Sequence, residues 1–234
     1  MGPQYLERHL LNTPPVAMQQ VRNEINYMLS VAKRAITAAV EGFMSNDETK
    51  LCKALAYEGV TDNLQSEITQ YVIELSQREL DATDAQEIPV LLHNVNDIER
   101  MGDHAKNIAE ITHSKIDQEI RFSAAAQEEL TMVWEKLSQM LEETAQALCN
   151  RDAKIATGTL EIENRINELQ VTLKETHIER LNQGVCNLRA NFIFLDFIDN
   201  IEKIADHLTN INQGVIGKMQ WRMYKKMAPL EKPA

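Results

Sequence analysis

Two pairs of carboxylates at helical spacing are the residues of this sequence best suited to chemistry. Glu99 precedes Asp103 by four positions, and Glu202 precedes Asp206 by the same interval. Residues four apart lie side by side on an α-helix, so each pair places two negative charges together and favours a cation between them. Oxygen-only ligands suit hard cations such as Mg²⁺, Ca²⁺ and Mn²⁺, or oxo-bridged iron. The pairs therefore predict sites for iron or another divalent cation.

A neighbouring helix is predicted to complete each set. Glu58 and Asp62 also stand four apart, and Glu163 follows Glu58 by 105 positions. Asn167 stands where the second set needs a counterpart of Asp62, and a neutral amide there weakens the second site. The candidate metal ligands are Glu58, Asp62, Glu99, Asp103, Glu163, Glu202 and Asp206.

The alternative interpretation is a solvated helix face whose acids pair with nearby arginines and lysines. Repetition within the chain favours a role, because solvent-facing positions should drift faster than core positions after a duplication. A helical projection places the acids of both pairs on the side away from the core. His104 and His207 also repeat and fall beyond the edge of that face. We therefore expect each histidine to hydrogen-bond an adjacent helix and not to ligate a metal.

The acidic pairs belong to a stretch that occurs twice. Residues 98–108 read IERMGDHAKNI and residues 201–211 read IEKIADHLTNI, a shift of 103 positions. Self-similarity at a fixed offset is typical of duplicated supersecondary structure. Hydrophobic periodicity predicts three helices in each copy. The fold class is therefore predicted to be all-α, with two tandem antiparallel three-helix bundles.

Local signals predict where the helices begin and end. Thr13 with Pro14 opens the first helix, and Ser45 with Glu48 has the spacing of a capping box for the second. The second helix is expected to end near residues 81–84, and Pro89 is expected to delay or kink the start of the third. In the second copy, Ser123 caps the fourth helix, Gly184 ends the fifth, and the sixth begins near Val185. The predicted units are a linker at 1–15, bundles at 16–119 and 120–217, and a basic amphipathic tail at 218–234.

Composition excludes several classes of function. The net charge of −11 argues against a nucleic-acid partner. No apolar run approaches the roughly 20 residues of a membrane span, and the N-terminus lacks the pattern of a signal peptide. The three cysteines include no CxxC pair, which indicates a reducing compartment and idle or buried thiols. No catalytic triad, phosphate-binding glycine loop or zinc set is evident, so we predict that the protein is not an enzyme.

Residues 96–108, NDIERMGDHAKNI, closely resemble the signature of PhoU domains, and residues 199–211 resemble its second copy. The resemblance implies two three-helix bundles. It also implies multinuclear iron or other metals on Glu/Asp-x-x-x-Asp stripes, as in some members of the family. Residue by residue, this implicates Glu99 and Asp103 with Glu58 and Asp62, and then Glu202 and Asp206 with Glu163. Asn167 and Asn200 depart from a full acidic set.

Residues 5–14, YLERHLLNTP, resemble the segment that joins the membrane part of bacterial type II sodium/phosphate cotransporters to a C-terminal PhoU-like domain. This implies a regulatory domain that modulates phosphate uptake, on the cytoplasmic face of the bacterial inner membrane, with the membrane part of the transporter as its partner. The alternative is a free-standing PhoU-like regulator that restrains a phosphate transporter and its sensor kinase through protein contacts. A homo-oligomer is compatible with either. A metalloenzyme would instead require an enclosed pocket around the metal.

Overall fold

Six α-helices follow a short 3₁₀ helix in the computed structural model of the chain, which describes residues 2–184 and 188–217. The 3₁₀ helix is Arg8–Asn12, and the α-helices are α1 Pro14–Ser45, α2 Glu48–Ser76, α3 Ala82–Asp117, α4 Ala124–Asn150, α5 Ala153–Asn182 and α6 Leu188–Ile216. The described ranges contain no strand, so the all-α prediction is confirmed. The predicted start of the sixth helix near Val185 and the predicted tail at 218–234 lie outside these ranges.

The helices form two bundles that share a core. The first three pack against one another, the last three do the same, and α3 packs along α6 while α1 touches α4. Buried apolar side chains from all six helices belong to one continuous cluster. Removal of that apolar surface from water is the main stabilisation of such a fold. None of the helices in the described ranges combines the length and the apolar character that a membrane crossing requires.

The same turn joins the first two helices of each bundle. Asn46 and Arg151 take left-handed conformations, with φ of 55° and 54°. The carboxylates of Asp47 and Asp152 then accept backbone N–H groups from the first turn of the next helix. The prediction that Ser45 caps the second helix was wrong, because Ser45 ends α1 and its hydroxyl donates to the Glu41 carbonyl oxygen at 2.6 Å. Asp47 has a carboxylate in the N-cap position and performs that role.

The third helix differs most from its prediction. The second helix ends at Ser76, and the Asp81 carboxylate, which accepts the Asp84 N–H at 2.7 Å, caps the start of the third. Pro89 therefore lies inside α3 and does not mark its start. Ser123 accepts the Ala126 N–H and caps α4 as predicted. Gly184, with φ of 69°, follows the end of α5, also as predicted.

The residues that precede α1 pack on the first bundle. Leu11 is buried against the core. The fully buried Glu24 accepts backbone N–H groups from Gln4 at 2.9 Å and from Tyr5 at 2.6 Å. The Tyr71 hydroxyl donates to the Glu7 carbonyl oxygen at 3.1 Å. These contacts give the segment that was predicted as a linker a defined place on α1 and α2.

Aromatic rings meet where the two bundles join. Phe43 of α1 stacks on Phe197 of α6, with ring centroids 4.3 Å apart. Phe194, one helical turn before Phe197, contacts the edge of Phe122 at 6.0 Å. The His177 ring lies parallel to Phe194 at 4.1 Å. Aromatic side chains bury large apolar areas, so this cluster is a main tie between the bundles.

The buried imidazole of His177 makes the stability of the fold pH-dependent. Burial lowers the pKa of His177 to about 4, and the charge of Arg180 also lowers it. An unfolded histidine titrates near 6.5, so between pH 6.5 and 4 the unfolded chain binds a proton that the native chain does not. Stability that is present above pH 6.5 is therefore lost as the pH falls through 4, with a slope of up to about 1.4 kcal/mol per pH unit.

We expect urea titrations at stepped pH to show this loss, and His177→Phe to make the profile flatter between pH 6.5 and 4. A phenylalanine can keep the stack on Phe194 without a titrating group. The exposed His9 offers a matched control, since His9→Gln should leave the slope as it is. Equal slopes for wild type and His177→Phe would contradict the assignment.

Candidate functional site

Three of the predicted ligands meet where α2 and α3 lie side by side. Glu58 and Asp62 of α2 and Asp103 of α3 each offer one carboxylate oxygen, and these oxygens all lie within 4.8 Å of one another. Glu99 stands one turn before Asp103 and is close enough for the charges of the other three to act on it. We call Glu58, Asp62, Glu99 and Asp103 the first acidic cluster. The structure thus brings the four predicted residues of the first repeat together at one seam.

The carboxylates of the first acidic cluster repel one another. Partial burial raises the pKa of Asp62, and the negative charges of Glu58 and Asp103 raise it further. Burial also raises the pKa of Glu99, and Asp103 adds to that rise. Like charges at this distance disfavour the ionised forms of Asp62 and Glu99 unless a cation lies among them. A bound divalent cation would remove this penalty.

Exposure differs among the four carboxylates. Asp62 is exposed and the side chains of Glu99 and Asp103 are partly exposed, as the outward face predicts, but Glu58 is only 6% exposed. Glu58 lies against α3, where the Lys106 ammonium donates to its Oε1 at 2.9 Å. Arg100 donates to Asp103 at 3.4 Å from a side chain that is 63% exposed. The four carboxylates are therefore paired with two cationic side chains, Lys106 and Arg100, and the cluster keeps a net negative charge.

The donor set fits a hard divalent cation. All four groups are carboxylates, and two of them come from each helix, so one ion could bridge α2 and α3. Oxygen ligands of this kind suit Mg²⁺, Ca²⁺, Mn²⁺ or iron in preference to soft metals. Asp62 and Asp103 are accessible to an ion from solvent, whereas Glu58 supplies an anchored oxygen at the base. Metal binding at these residues stays a prediction that the geometry supports.

The candidate ligands of the second repeat, which we call the second acidic stripe, are Glu163, Glu202 and Asp206. They are arranged differently from the first acidic cluster. Within residues 2–184 and 188–217, Glu163, Glu202 and Asp206 do not bring three ligand atoms together as the first acidic cluster does. Asn167 donates to Glu163 at 2.6 Å, and Lys203 reaches both Glu202 at 3.0 Å and Asp206 at 3.1 Å. The amide and the ammonium satisfy these carboxylates internally. This arrangement agrees with the prediction that Asn167, in place of an acid, weakens the second site.

A glycine sets the spacing of the first seam. A Cβ built on Gly102 would lie 2.6 Å from Thr61 Oγ1, which is closer than packed atoms allow. The absent side chain therefore lets α2 approach α3 and brings Glu58 and Asp62 towards Asp103. The second repeat carries Ala205 in place of Gly102.

We expect Gly102→Ala to lower the free energy of unfolding by about 1–3 kcal/mol, because the added methyl overpacks the seam. Adding Thr61→Ala should recover most of that loss in a double-mutant cycle measured by urea denaturation. Gly158 of α5 has open space at its Cβ position and serves as control. Gly158→Ala should stabilise by up to about 1 kcal/mol, through helix propensity. Equal effects at both glycines would show that close approach does not matter at residue 102.

The repeated histidines join the two bundles. His104 Nδ1 lies 2.8 Å from Asn200 Oδ1, and His207 Nδ1 lies 2.8 Å from Asp97 Oδ1. The two rings are 5.6 Å apart at the contact of α3 with α6. Since both acceptors are oxygens, each Nδ1 donates. The prediction that the histidines hydrogen-bond an adjacent helix is therefore confirmed.

The same contact explains two further repeated amides that the sequence left unassigned. Asn107 donates to Asn200 Oδ1 at 3.3 Å, and Asn210 donates to Asp97 Oδ1 at 3.1 Å. Histidine, asparagine and acceptor all recur at the same 103-residue offset, so the interface has an approximate two-fold symmetry. The sequence carries a sign of this contact, because Asp97 and Asn200, the two acceptors, stand at equivalent positions of the repeats. Part of the repeated signature thus holds the two bundles together and has no need of a metal.

Comparison with known proteins assigns the fold. The family model described as "PhoU domain" matches residues 25–112 and 133–215. An accessory protein of the phosphate-specific transport system, a PhoU homologue of Thermotoga maritima, is 22% identical over 197 residues, which cover 84% of each chain. Its counterpart in Xylella fastidiosa strain Temecula1 is 24% identical over 208 residues, 89% of this chain and 85% of the relative.

Solved structures agree with the sequence matches. The fold is similar to the crystal structure of PhoU from Pseudomonas aeruginosa, with a TM-score of 0.80 and 18% identity over 85% of this chain and 94% of that one. The phosphate transport regulatory protein PhoU of Streptococcus pneumoniae gives a TM-score of 0.77 and 17% identity, over 87% and 95% of the two chains. The predicted tandem bundles are thereby confirmed. Because the family match takes in one segment of each bundle and most of the chain, this protein belongs to the PhoU domain family.

Proposed function

We propose that this chain is a non-enzymatic accessory regulator of phosphate transport. The observation that carries the proposal is the double PhoU match, one segment in each bundle. The relatives named as phosphate-specific transport accessory proteins align with 84% to 89% of the chain. They support the free-standing regulator, which was the alternative from the sequence, better than the domain of a sodium/phosphate cotransporter.

The first acidic cluster is the proposed metal site. Glu58, Asp62, Glu99 and Asp103 would hold iron or another divalent cation, which when bound supplies a fixed positive charge between α2 and α3. These carboxylates would bind and orient the ion. The exposure of Asp62 and the partial exposure of Glu99 and Asp103 leave the ion accessible to a partner. We therefore assign the site a docking or bridging role and no catalytic one.

The proposed partners are the phosphate transporter and its sensor protein, met on the cytoplasmic face of the bacterial inner membrane. A net charge of −11 disfavours nucleic acid, and the contacts to transporter or sensor would be made by protein surfaces. Self-association into a homo-oligomer is a further part of this proposal, and sedimentation of the purified chain tests it.

A second candidate is the cytoplasmic domain of a sodium/phosphate cotransporter. It is supported by the segment at residues 5–14, which resembles such a linker and lies in a defined place on the first bundle through Tyr5, Glu7 and Leu11. A linker fixed in this way could transmit a change in the bundle to a preceding membrane part. The reading frame upstream of this sequence separates the two candidates, because the cotransporter requires encoded membrane helices there.

Phosphate uptake in a strain that lacks the gene tests the proposed function. We expect uptake of labelled phosphate to stay high at high external phosphate in the deleted strain, and the wild-type gene to restore the restraint. A copy with Glu58→Gln and Asp103→Asn should restore less than a copy with Glu202→Gln and Asp206→Asn. Uptake that is unchanged by the deletion would contradict a regulatory role.

A further inference from the structure

A cavity of about 320 Å³ lies at the junction of the two bundles, away from the first acidic cluster. Its walls come from α1, α3, the end of α4 with the following turn, and the end of α6. The polar residues that matter below are Arg22, Asn26, Glu87, Asn94 and Arg151. The volume is at the lower end of the range of small-molecule sites, roughly 300 to 1,000 Å³. A ligand that fills this cavity would contact both bundles at once.

The internal duplication explains why space is left here. Leu91 and Asn94 of α3 occupy the positions that Phe194 and Phe197 occupy on α6, at the 103-residue offset. In the second copy both phenylalanines are fully buried and fill the corresponding space. The first copy has no aromatic ring at either position. The cavity is therefore a specific departure from the repeat and not a general looseness of packing.

The cavity carries unused hydrogen-bonding capacity. Asn94 is 2% exposed, and its side-chain oxygen has no hydrogen-bond partner among the described residues. The side-chain oxygen of Asn26, on the facing helix, is also buried without one. Buried acceptors without donors are rare because they lose their hydrogen bonds to water. Two of them on the walls of one cavity indicate a ligand that presents N–H or O–H groups.

The open end of the cavity is charged. Arg22 binds Glu87 through two nitrogens, at 2.9 Å and 2.6 Å, which fixes the carboxylate. Arg151 reaches the same carboxylate at 3.3 Å from a side chain that is 66% exposed. In the described part of the chain, Glu87 is the sole hydrogen-bond partner of the Arg151 side chain. Its remaining N–H groups face solvent at the mouth, where a guanidinium suits a phosphate.

We propose that this cavity binds an aminopurine nucleotide, of which AMP is the simplest. The amino edge of the base would donate to the amide oxygens of Asn94 and Asn26, since asparagine is well matched to the edge of adenine. Aliphatic side chains such as Ile25 and Leu91 line the same space and would pack on the faces of the base. The phosphate would reach Arg151 at the mouth. A nucleotide held in this way would contact both bundles at their junction.

Calorimetric titration of the whole chain tests the ligand class. AMP should bind at one site per chain, and IMP, which lacks the exocyclic amino group, should bind on the order of 100-fold more weakly, taking about tenfold for each of the two buried hydrogen bonds that are lost. Inorganic phosphate at the same concentration as AMP should not compete with AMP for the site. Equal binding of phosphate and AMP would place the recognition in the anion alone, and absence of AMP binding would show a cavity that holds only water. Either result overturns the proposal.

Matched variants locate the site. Asn94→Phe restores the residue type of the second copy and should abolish AMP binding by filling the space. If that variant does not fold, Asn94→Leu should still weaken binding at least about tenfold. Asn191 is another buried asparagine with an unpartnered oxygen, but it does not line this cavity, so Asn191→Leu should bind AMP normally. Equal affinities for the Asn94 and Asn191 variants would overturn the assignment.

Two further readouts test the mouth of the cavity. Arg151→Gln should weaken AMP about tenfold, whereas Arg165→Gln, at an exposed arginine of α5, should not. Cys149 lines the cavity and Cys52 does not, and both are exposed free thiols. Saturating AMP should slow alkylation of Cys149, followed by peptide mass spectrometry, and leave Cys52 unchanged. Unprotected Cys149 at saturating AMP would place the nucleotide elsewhere and overturn the proposal.

Discussion

Phe197→Ala is expected to lower the free energy of unfolding by about 3–5 kcal/mol, the loss typical of a large side chain removed from a packed core. Phe197 is fully buried and stacks on Phe43 at 4.3 Å, so the substitution removes contacts within α6 and across the junction of the bundles. Chemical denaturation followed by circular dichroism measures the change. The loss should be accompanied by a less cooperative transition, because the bundles lose part of their shared core.

Phe192 provides the matched control for this prediction. It lies on the same helix, one and a half turns earlier, and its side chain is 57% exposed. Phe192→Ala should change stability by no more than about 0.5 kcal/mol. Similar losses at both positions would contradict the assignment of Phe197 to the tie between the bundles.

The second large effect is expected at the first acidic cluster. Glu58→Gln with Asp103→Asn removes one charged ligand from each helix while keeping the shape of both side chains. We expect divalent cation affinity to fall on the order of 100-fold, taking about tenfold for each charged contact. Titration with Mn²⁺ and with Fe²⁺ under anaerobic conditions, after removal of metal by a chelator, measures the change. The apo variant should remain folded, since the removed charges repel one another.

The second repeat supplies the control for the metal prediction. Glu202→Gln with Asp206→Asn removes the corresponding acids, both of which already pair with Lys203. Affinity should change less than about threefold in this variant. If both double variants lose the metal equally, the two stripes act alike and the difference seen in the structure carries no consequence. If neither loses it, the carboxylates are a solvated helix face.

Most of the fold follows from local signals that survive in the native structure. The period of the apolar residues predicted all six helices, and the turns at Asn46 and Arg151 interrupt them where the sequence has a break. The errors occurred where two signals competed. Ser45 and Glu48 have capping-box spacing, yet the intervening Asp47 offers a carboxylate and takes the cap. Pro89 was expected to delay or kink the start of the third helix, but α3 begins at Ala82 after the Asp81 cap and contains Pro89.

The site could be predicted only in part, because a helical projection describes one helix at a time. It placed Glu99 and Asp103 on the outer face, and the structure agrees. It could not show that Glu58 is covered by α3, since that burial depends on how closely α2 approaches across Gly102. Nor could it separate the two reasons for repetition, a cation site and a helix contact. The pairings of His104 and His207 across the bundles appear only in three dimensions.

The structure adds two features that the sequence analysis did not specify. Cys52 and Cys149 are exposed free thiols, which leaves the idle alternative and not the buried one, and Cys186 lies outside the described residues. The cavity at Asn94 was not foreseen, although the exchange of Phe197 for Asn94 between the copies was a visible sign. A comparison of the two repeats for lost volume, and not only for shared residues, would have indicated it.

The central claim is that duplication produced two bundles of which only the first retains a complete carboxylate site. Crystals soaked in Mn²⁺ and measured near the manganese absorption edge test this most directly. We predict an anomalous difference peak among Glu58, Asp62 and Asp103, and none among Glu163, Glu202 and Asp206. Peaks of similar height at both stripes, or a peak at the second stripe alone, would contradict the account.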